Sequence, residues 1–175
     1  MNESILLFLN SYANSSPLIS QGVVFCAEYL GYVVLVAIIA YGLFGKDRKT
    51  DIRQVLSLFA AAGFSWVVAS ASKYFFPSPR PFEALQSIQA LFIHGGMDSF
   101  PSGHAAFFGA LAFGTFHYSR KIGWLLLITA IIIGLARVAS GIHFPLDILG
   151  GFAVAGVAYF LWRGIVGFVS KTQNL

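Results

Sequence analysis

Long apolar stretches constrain the fold of this chain more than any other feature. The first covers residues 18–44, and a helix needs only about 20 residues to cross the hydrocarbon core of a bilayer. Of the 175 residues, 57% are hydrophobic and only 10% are charged, and the mean hydropathy is +0.76. This balance is far from that of a soluble domain. We therefore expect an all-α, polytopic transmembrane helix bundle that forms a single domain over residues 1–175.

Breaks in hydropathy divide this bundle into about five spanning helices and two other segments. Residues 1–17 mix apolar and polar side chains without a basic start, which favours an interfacial helix over a signal peptide. Three prolines at positions 77–81 disfavour helix and open an outer loop at residues 77–101. The predicted spans are 18–44, 54–76, 102–118, 122–140 and 145–168.

Basic residues are distributed unequally between the two sides of such a bundle. Eight of the eleven lysines and arginines lie on the side that carries the two short loops and the C-terminal end. The positive-inside rule makes that side cytoplasmic. Membrane topology thus explains the net charge of +4 better than nucleic-acid binding does. The other three, Lys73, Arg80 and Arg137, lie at or near the opposite face, where the rule disfavours them.

Residues 98–107 mark the point where polar residues give way to an apolar helix. Pro101, Ser102 and Gly103 suit a first helical turn, whose free N–H groups and dipole favour an anion such as phosphate. His104 lies on the same turn and can transfer a proton near neutral pH. This turn is therefore a candidate phosphate site.

A second polar pair, His143 and Asp147, begins the last predicted span. The two residues are four apart, so on a helical turn the carboxylate can accept a hydrogen bond from one imidazole nitrogen. The other nitrogen would then be available as a nucleophile. With His104 and the three outer cations, this pair brings six polar side chains from four helix ends to one outward-facing pocket. Such a set suits the oxygens of a phosphoryl group.

Each of these residues also has a simpler explanation when taken alone. Lys73 and Arg137 could extend to a membrane interface, and Ser102 could be only a helix cap. His143 and Asp147 could form a structural hydrogen bond. Their joint position at one membrane face favours catalysis.

Other polar residues are weaker candidates. Glu28 interrupts the first span, where a carboxyl is costly, and an accessory role and a structural role are about equally supported. His94 in the outer loop is interpreted as an exposed histidine rather than a gating or head-group residue. His117 is about 20 Å from His104 along its helix and is interpreted as structural. A single cysteine, Cys26, excludes an intrachain disulfide.

A metal mechanism is less attractive than a metal-free one. Two-metal hydrolases need several carboxylates, and the outer side offers only Glu83, Asp98 and Asp147 besides Glu3. We therefore expect no metal and no other cofactor.

Three motifs resemble those of the type 2 phosphatidic acid phosphatase superfamily. Lys73 followed after six residues by Arg80-Pro81 is similar to the first motif, and Pro101-Ser102-Gly103-His104 to the second. The third is matched by Arg137, His143 and Asp147. In combination these motifs are very specific. One departure is Ala136, where the family usually has a serine, and it affects a minor hydrogen bond near the phosphate.

The resemblance implies roles for these residues. His143 would carry a phosphohistidine intermediate, His104 would act as acid and base, and Asp147 would complete the catalytic set without a metal. The phosphate-binding residues would be Lys73, Arg80, Ser102, Gly103 and Arg137, with Glu28 and Pro81 as accessory candidates.

The expected function is that of a lipid phosphatase in the cytoplasmic membrane, with its site facing the periplasm or exterior. Its partners would be the bilayer and a membrane lipid phosphate, and the oligomeric state stays open. Small size, the N-terminal segment and Glu28-Tyr29 most resemble bacterial undecaprenyl diphosphate phosphatases, which favours polyprenyl diphosphate. Alternative substrates are phosphatidylglycerophosphate, phosphatidic acid and a lipid A phosphate. Alternative functions are phosphotransfer to another lipid and non-enzymatic binding or transport of an anionic lipid.

Overall fold

The computed structural model describes residues 2–45, 47–93 and 98–172, with side chains described as far as Gly167. This part of the chain folds as an all-α bundle, as predicted, with one isolated bridge between Pro79 and Asp98. Its helices are α1 Asn2–Ala13, α2 Pro17–Phe44, α3 Arg48–Ser72, α4 Pro81–Ala84, α5 Gly103–Thr115, α6 Arg120–Ala139 and α7 Pro145–Thr172. A π-helical turn, Phe25–Tyr29, lies within α2.

Four of the described helices, α2, α3, α6 and α7, are long and apolar enough to cross a membrane. The transmembrane bundle is thus confirmed, with a smaller number of long spans than the five expected. The exception is α5, whose 13 residues extend only about 20 Å, against about 30 Å of hydrocarbon. It ends at Thr115 because the amides of His117 and Tyr118 bond three residues back, to the carbonyls of Gly114 and Thr115. The expected helical end at residue 118 is a tight turn instead.

Helix α3 also differs from its expected bounds of 54–76. It begins six residues earlier because Asp47 caps it, accepting a hydrogen bond from the amide of Thr50. It ends four residues earlier, at Ser72, where the amides of Lys73 and Tyr74 bond three residues back along the chain. The helix therefore ends in a turn before the prolines are reached.

The short helix α5 lies at the centre of the bundle and packs against α3, α6 and α7. Small residues allow this close packing, as is usual between helices in membranes. A Cβ atom at Gly109 would lie 2.8 Å from the ring of Phe152 in α7. Larger side chains fill the remaining space, and Leu111 and Ile133 are almost fully buried there. The position of the α5 N terminus is therefore fixed by three neighbouring helices.

Helix α1 packs against the same end of the bundle. Leu6 is fully buried, and Asn10 is only 3% exposed. The Asn10 amide donates hydrogen bonds of 2.9 Å to the carbonyls of Gln89 and Ala139. Gly141, with a φ of 76°, faces Asn10 in the turn between α6 and α7, a conformation that favours glycine. Asn10 thus ties α1 and the outer loop to this turn, whereas the membrane-interface position of α1 stays a prediction.

Candidate active site

The N termini of α5 and α7 meet at one end of the bundle. The amide of Ser102, which precedes α5, donates a 3.0 Å hydrogen bond to the carbonyl of Asp147 in the first turn of α7. A Cβ atom at Gly151 would lie 2.6 Å from both the Ser102 carbonyl oxygen and the Ala105 side chain. Two helix N termini, each with a positive dipole end, therefore lie side by side.

His143 and Asp147 interact as their spacing predicts. The distance from His143 Nδ1 to Asp147 Oδ2 is 3.3 Å, and both side chains are almost fully buried. The same carboxylate oxygen accepts a 2.7 Å hydrogen bond from the amide of Phe144. When Nδ1 donates its proton to this carboxylate, Nε2 carries the lone pair. The arrangement thus suits a nucleophilic imidazole.

Ser99 is a member of this group that the sequence did not reveal. It is fully buried, and its hydroxyl donates a hydrogen bond to Asp147 Oδ2 and lies 3.2 Å from His143 Nδ1. Its amide donates to the carbonyl of Ser78 at 2.7 Å. No sequence spacing predicts a site role for a serine of this kind. The one signal for Ser99 was its position beside Pro101-Ser102-Gly103-His104.

Burial lowers the pKa of His143 from its ordinary 6.5 to about 4. The hydrogen bond to Asp147 opposes this effect, whereas the positive charges of Arg137 and Arg80 add to it. Removing an imidazolium from water is costly, and nearby cations disfavour it further. The imidazole is therefore neutral at physiological pH, as a nucleophile requires.

Two of the three predicted cations connect the outer loop to this end of the bundle. Arg80 is almost fully buried and donates a 3.0 Å hydrogen bond from Nη1 to the carbonyl of Ile142, the residue before His143. Lys73 Nζ donates to the carbonyl of Asp98 at 2.6 Å. Burial lowers the pKa of Lys73, and the charge of Arg80 contributes in the same direction. The two cations thus lie close enough to repel each other.

The third cation, Arg137, is 3% exposed near the end of α6. Its Nη1 donates a 3.1 Å hydrogen bond to the carbonyl of Ala27 in the π-helical turn of α2. Its Nε is buried without a hydrogen-bond partner among the described residues. A buried donor of this kind can bind an oxyanion.

His104 lies on the first turn of α5 and lines a cavity of about 250 Å³ between α2, α3 and α5. Glu28, from the π-helical turn, lines the same cavity. Ser102 caps α5, its Oγ accepting a 3.4 Å hydrogen bond from the amide of Ala105. A Cβ atom at Gly103 would lie 3.2 Å from the Trp66 indole. The predicted phosphate turn is therefore a capped helix start that opens onto this cavity.

The other candidates are distributed as follows. Pro81 is buried and begins α4 directly after Arg80. His117 lies at the far end of α5, where it is exposed and lines a different cavity. His94 lies outside the described residues. Among those that are described, no three His, Cys, Asp or Glu residues are grouped closely enough to hold a metal ion.

Comparison with known proteins identifies relatives along most of the chain. The bacitracin transport permease protein BcrC of Bacillus licheniformis is 30% identical over 159 residues, which cover 90% of this chain and 76% of that protein. The undecaprenyl-diphosphatase BcrC of Bacillus subtilis is 29% identical over 162 residues, or 93% of this chain and 82% of that protein.

Among solved structures, the crystal structure of Aquifex aeolicus LpxE superposes with a TM-score of 0.75 at 27% sequence identity. The superposition covers 93% of this chain and 94% of that one. Residues 54–170, which contain the cations and histidines of the site, match the PAP2 superfamily. The chain therefore belongs to the PAP2 superfamily, and it is a membrane-embedded hydrolase of phosphate esters.

Proposed function

We propose that this protein removes a phosphate group from a membrane lipid through a phosphohistidine intermediate, with a polyprenyl diphosphate as the favoured substrate. The observation that carries the proposal is the buried pair of His143 and Asp147 beside Arg80, whose guanidinium bonds the residue next to the histidine. The relative named undecaprenyl-diphosphatase supports the choice of substrate.

In the first step, the lone pair on His143 Nε2 attacks phosphorus while Asp147 holds the proton on Nδ1. In a diphosphate the bond between the terminal phosphorus and the bridging oxygen breaks. The bridging oxygen stays on the lipid monophosphate and takes a proton from His104. Lys73, Arg80 and Arg137 stabilise the charge on the three equatorial oxygens. The N–H group of Gly103, in the first turn of α5, would add to this stabilisation.

In the second step, His104 accepts a proton from water, and the oxygen attacks the phosphohistidine. The bond between phosphorus and Nε2 breaks, which releases inorganic phosphate and restores both histidines. Every group needed for these steps is a side chain of the site, so the proposal includes no metal.

The shape of the apolar surface supports a substrate with one long tail. The cavity beside His104 includes Leu35 of α2 and Gly63 of α3. A second cavity of about 330 Å³ begins at Ile39 and Phe59, each one helical turn further along the same two helices. The two cavities therefore follow one another along the seam between α2 and α3. This groove starts at the end that carries His104, and its apolar lining suits an unbranched isoprenoid chain.

The proposed orientation places the site at the outer face of the cytoplasmic membrane. Most of the described basic residues lie at the other end of the bundle, in the first two turns of α3, the first turn of α6 and near the end of α7. The positive-inside rule assigns that end to the cytoplasm.

Two alternative functions would give different experimental results. An alcohol could replace water in the second step, which would make the protein a lipid phosphotransferase. Non-enzymatic transport is the second alternative, and the observation that favours it is the name of one relative, bacitracin transport permease protein. Trapping a phosphorylated acceptor lipid would identify the first, and transport by a His143→Ala variant without any phosphate release would identify the second.

The decisive experiment is phosphate release from a panel of polyprenyl diphosphate, phosphatidylglycerophosphate, phosphatidic acid and a lipid A phosphate. Wild type should release phosphate fastest from the polyprenyl diphosphate, in excess EDTA as well as without it. His143→Ala should lose nearly all activity, whereas His117→Ala should keep it. Labelled substrate should also leave an acid-labile, alkali-stable phosphoryl group on wild type only. Activity that EDTA removes and a divalent ion restores would contradict the metal-free mechanism.

A further inference from the structure

Two buried side-chain nitrogens in the described part of the chain have no hydrogen-bond partner there. One is Arg137 Nε, which lies in the catalytic site. The other is Trp162 Nε1 in α7, well away from that site. Buried donors in native proteins are nearly always satisfied, so an unpaired one calls for an explanation. At Arg137 the explanation is an anionic substrate, and the same question arises for Trp162.

Trp162 lines a cavity of about 200 Å³ between α3, the end of α5 and α7. The other polar side chains that line it can all donate hydrogen bonds. They are Ser57, His117, Tyr118, Tyr159 and Arg163. No aspartate or glutamate is present among the described residues of this lining. The cavity thus combines one fixed positive charge with several donors, a composition that suits an oxyanion.

The location of this cavity indicates where the anion comes from. It lies at the far end of α5, and its lining residue Arg163 is 18 residues after Pro145, the first residue of α7. At 1.5 Å per residue this is about 27 Å along the helix, which places the cavity near the opposite membrane face. Beside it, Leu161 and Ile165 of α7 are more than half exposed. An apolar helix face next to a donor-lined cavity matches a lipid whose head group enters the cavity and whose tails lie along the helix.

We propose that this cavity binds the phosphate group of an anionic phospholipid from the leaflet opposite to the catalytic site. The phosphate accepts a hydrogen bond from Trp162 Nε1 and pairs with Arg163, and the acyl chains cover the exposed face of α7. This second site takes no part in the hydrolysis, so its failure would leave the proposed function untouched.

The test measures thermal unfolding of the full chain in a nonionic detergent during titration with a short-chain phosphatidylglycerol. Wild type should gain stability in a saturable manner. Trp162→Phe, which keeps an aromatic ring but loses the donor, and Arg163→Gln should each weaken the apparent affinity by about tenfold or more, as expected for a hydrogen bond to a charged group. Trp124→Phe is the matched control, since this exposed tryptophan of α6 lies outside the cavity, and it should respond like wild type.

Two further titrations identify the ligand. A diacylglycerol with the same acyl chains should not stabilise the protein, because it lacks the phosphate. Inorganic phosphate should have no comparable effect at the same concentration, because it lacks the tails. Saturable stabilisation by inorganic phosphate but not by the lipid would overturn the lipid assignment. An equal response of Trp162→Phe and wild type to the phospholipid would overturn the site itself.

Discussion

At the scale of single residues, one carboxylate oxygen organises the site. Asp147 Oδ2 accepts hydrogen bonds from the Ser99 hydroxyl and the Phe144 amide, and it lies 3.3 Å from His143 Nδ1. These contacts hold the carboxylate in the orientation in which Oδ2 faces the imidazole.

Ser99→Ala is expected to slow the reaction without unfolding the protein. Removing a hydrogen bond to a charged group costs about 1.5–3 kcal/mol, which corresponds to roughly 10–160-fold in kcat/KM if the bond is needed in the transition state. Phosphate release and thermal unfolding should be measured together. Ser87→Ala, at an exposed position of the same loop, is the control and should match wild type. A Ser99→Ala enzyme with full activity would show that the hydroxyl does not position the pair.

The buried state of His143 predicts the acid side of the pH profile. Because burial lowers its pKa to about 4, the free enzyme should keep a neutral nucleophile well below pH 6.5, and kcat/KM should fall only toward about pH 4. The unfolded chain binds this proton more tightly, so the contribution of His143 to stability is complete above about pH 6.5 and is lost as pH falls toward about 4. The substrate phosphate also ionises in this range, so its pKa should be measured by phosphorus NMR and its contribution removed from the pH profile of kcat/KM. An acid limb at or above pH 6.5 in the corrected kcat/KM profile would contradict this prediction.

The sequence predicted the charged members of the site better than the uncharged ones. Lys73, Arg80 and Arg137 were recognisable because cations are disfavoured at an outer membrane face. Ser99 and Asn10 were not, because serine and asparagine occur in many exposed loops and their partners lie 44 to 129 residues away in the chain. Only the folded backbone shows which of them are buried.

At the scale of the helices, the proposed function depends on how closely α5 and α7 approach each other. Small residues in both helices bring the capped start of α5 against the first turns of α7. The sequence predicted both helix starts from proline, serine and histidine, but it did not predict how short α5 is. Its apolar run continues through Phe116, and the turn that ends the helix there depends on tertiary packing.

Gly151→Ala should separate these two helices and lower activity. The added Cβ would lie 2.6 Å from the Ser102 carbonyl oxygen, so one backbone must move, at a cost of about 1–3 kcal/mol in stability. Phosphate release should fall, because the same movement displaces His104 from the α7 start. Gly156→Ala in the same helix is the control, since its Cβ would meet only Phe113 at 3.9 Å. Equal activity of the two variants would argue against this role of the contact.

Gly63→Leu tests the groove between α2 and α3. A Cβ atom at Gly63 would meet nothing within 4 Å, so the leucine should enter the cavity without strain and should raise helix propensity. The leucine should displace part of the lipid tail from the groove, and losing about two buried methylene groups should lower kcat/KM for a long polyprenyl diphosphate about tenfold or more. A short, soluble diphosphate has no tail in the groove, so its kcat/KM should change less than about threefold. Gly164→Leu, also at an open position but outside the groove, should alter neither. A parallel loss for both substrates would show that Gly63 affects catalysis itself rather than tail binding.

At the scale of the whole molecule, the bundle has two chemically different ends. At the end that carries the candidate site, hydrogen bonds from Lys73 to Asp98, from Arg80 to Ile142 and from Ser102 to Asp147 join four helices. The other end carries most of the described basic residues and the donor-lined cavity of Trp162. In the proposed mechanism a substrate phosphate reacts at one end only, so the orientation in the membrane decides which leaflet supplies the substrate.

This orientation can be measured with single cysteines in a Cys26→Ala background. Gln86→Cys lies in the outer loop and Thr50→Cys in the first turn of α3, both at exposed positions and without a change in charge. If the positive-inside rule applies, a membrane-impermeant maleimide should label Gln86→Cys in intact cells and Thr50→Cys only after permeabilisation. The Cys26→Ala parent should stay unlabelled in both conditions, and all variants should release phosphate as wild type does. Labelling in the reverse order would place His104 and His143 at the cytoplasmic leaflet, and the proposed substrate would then have to come from that leaflet.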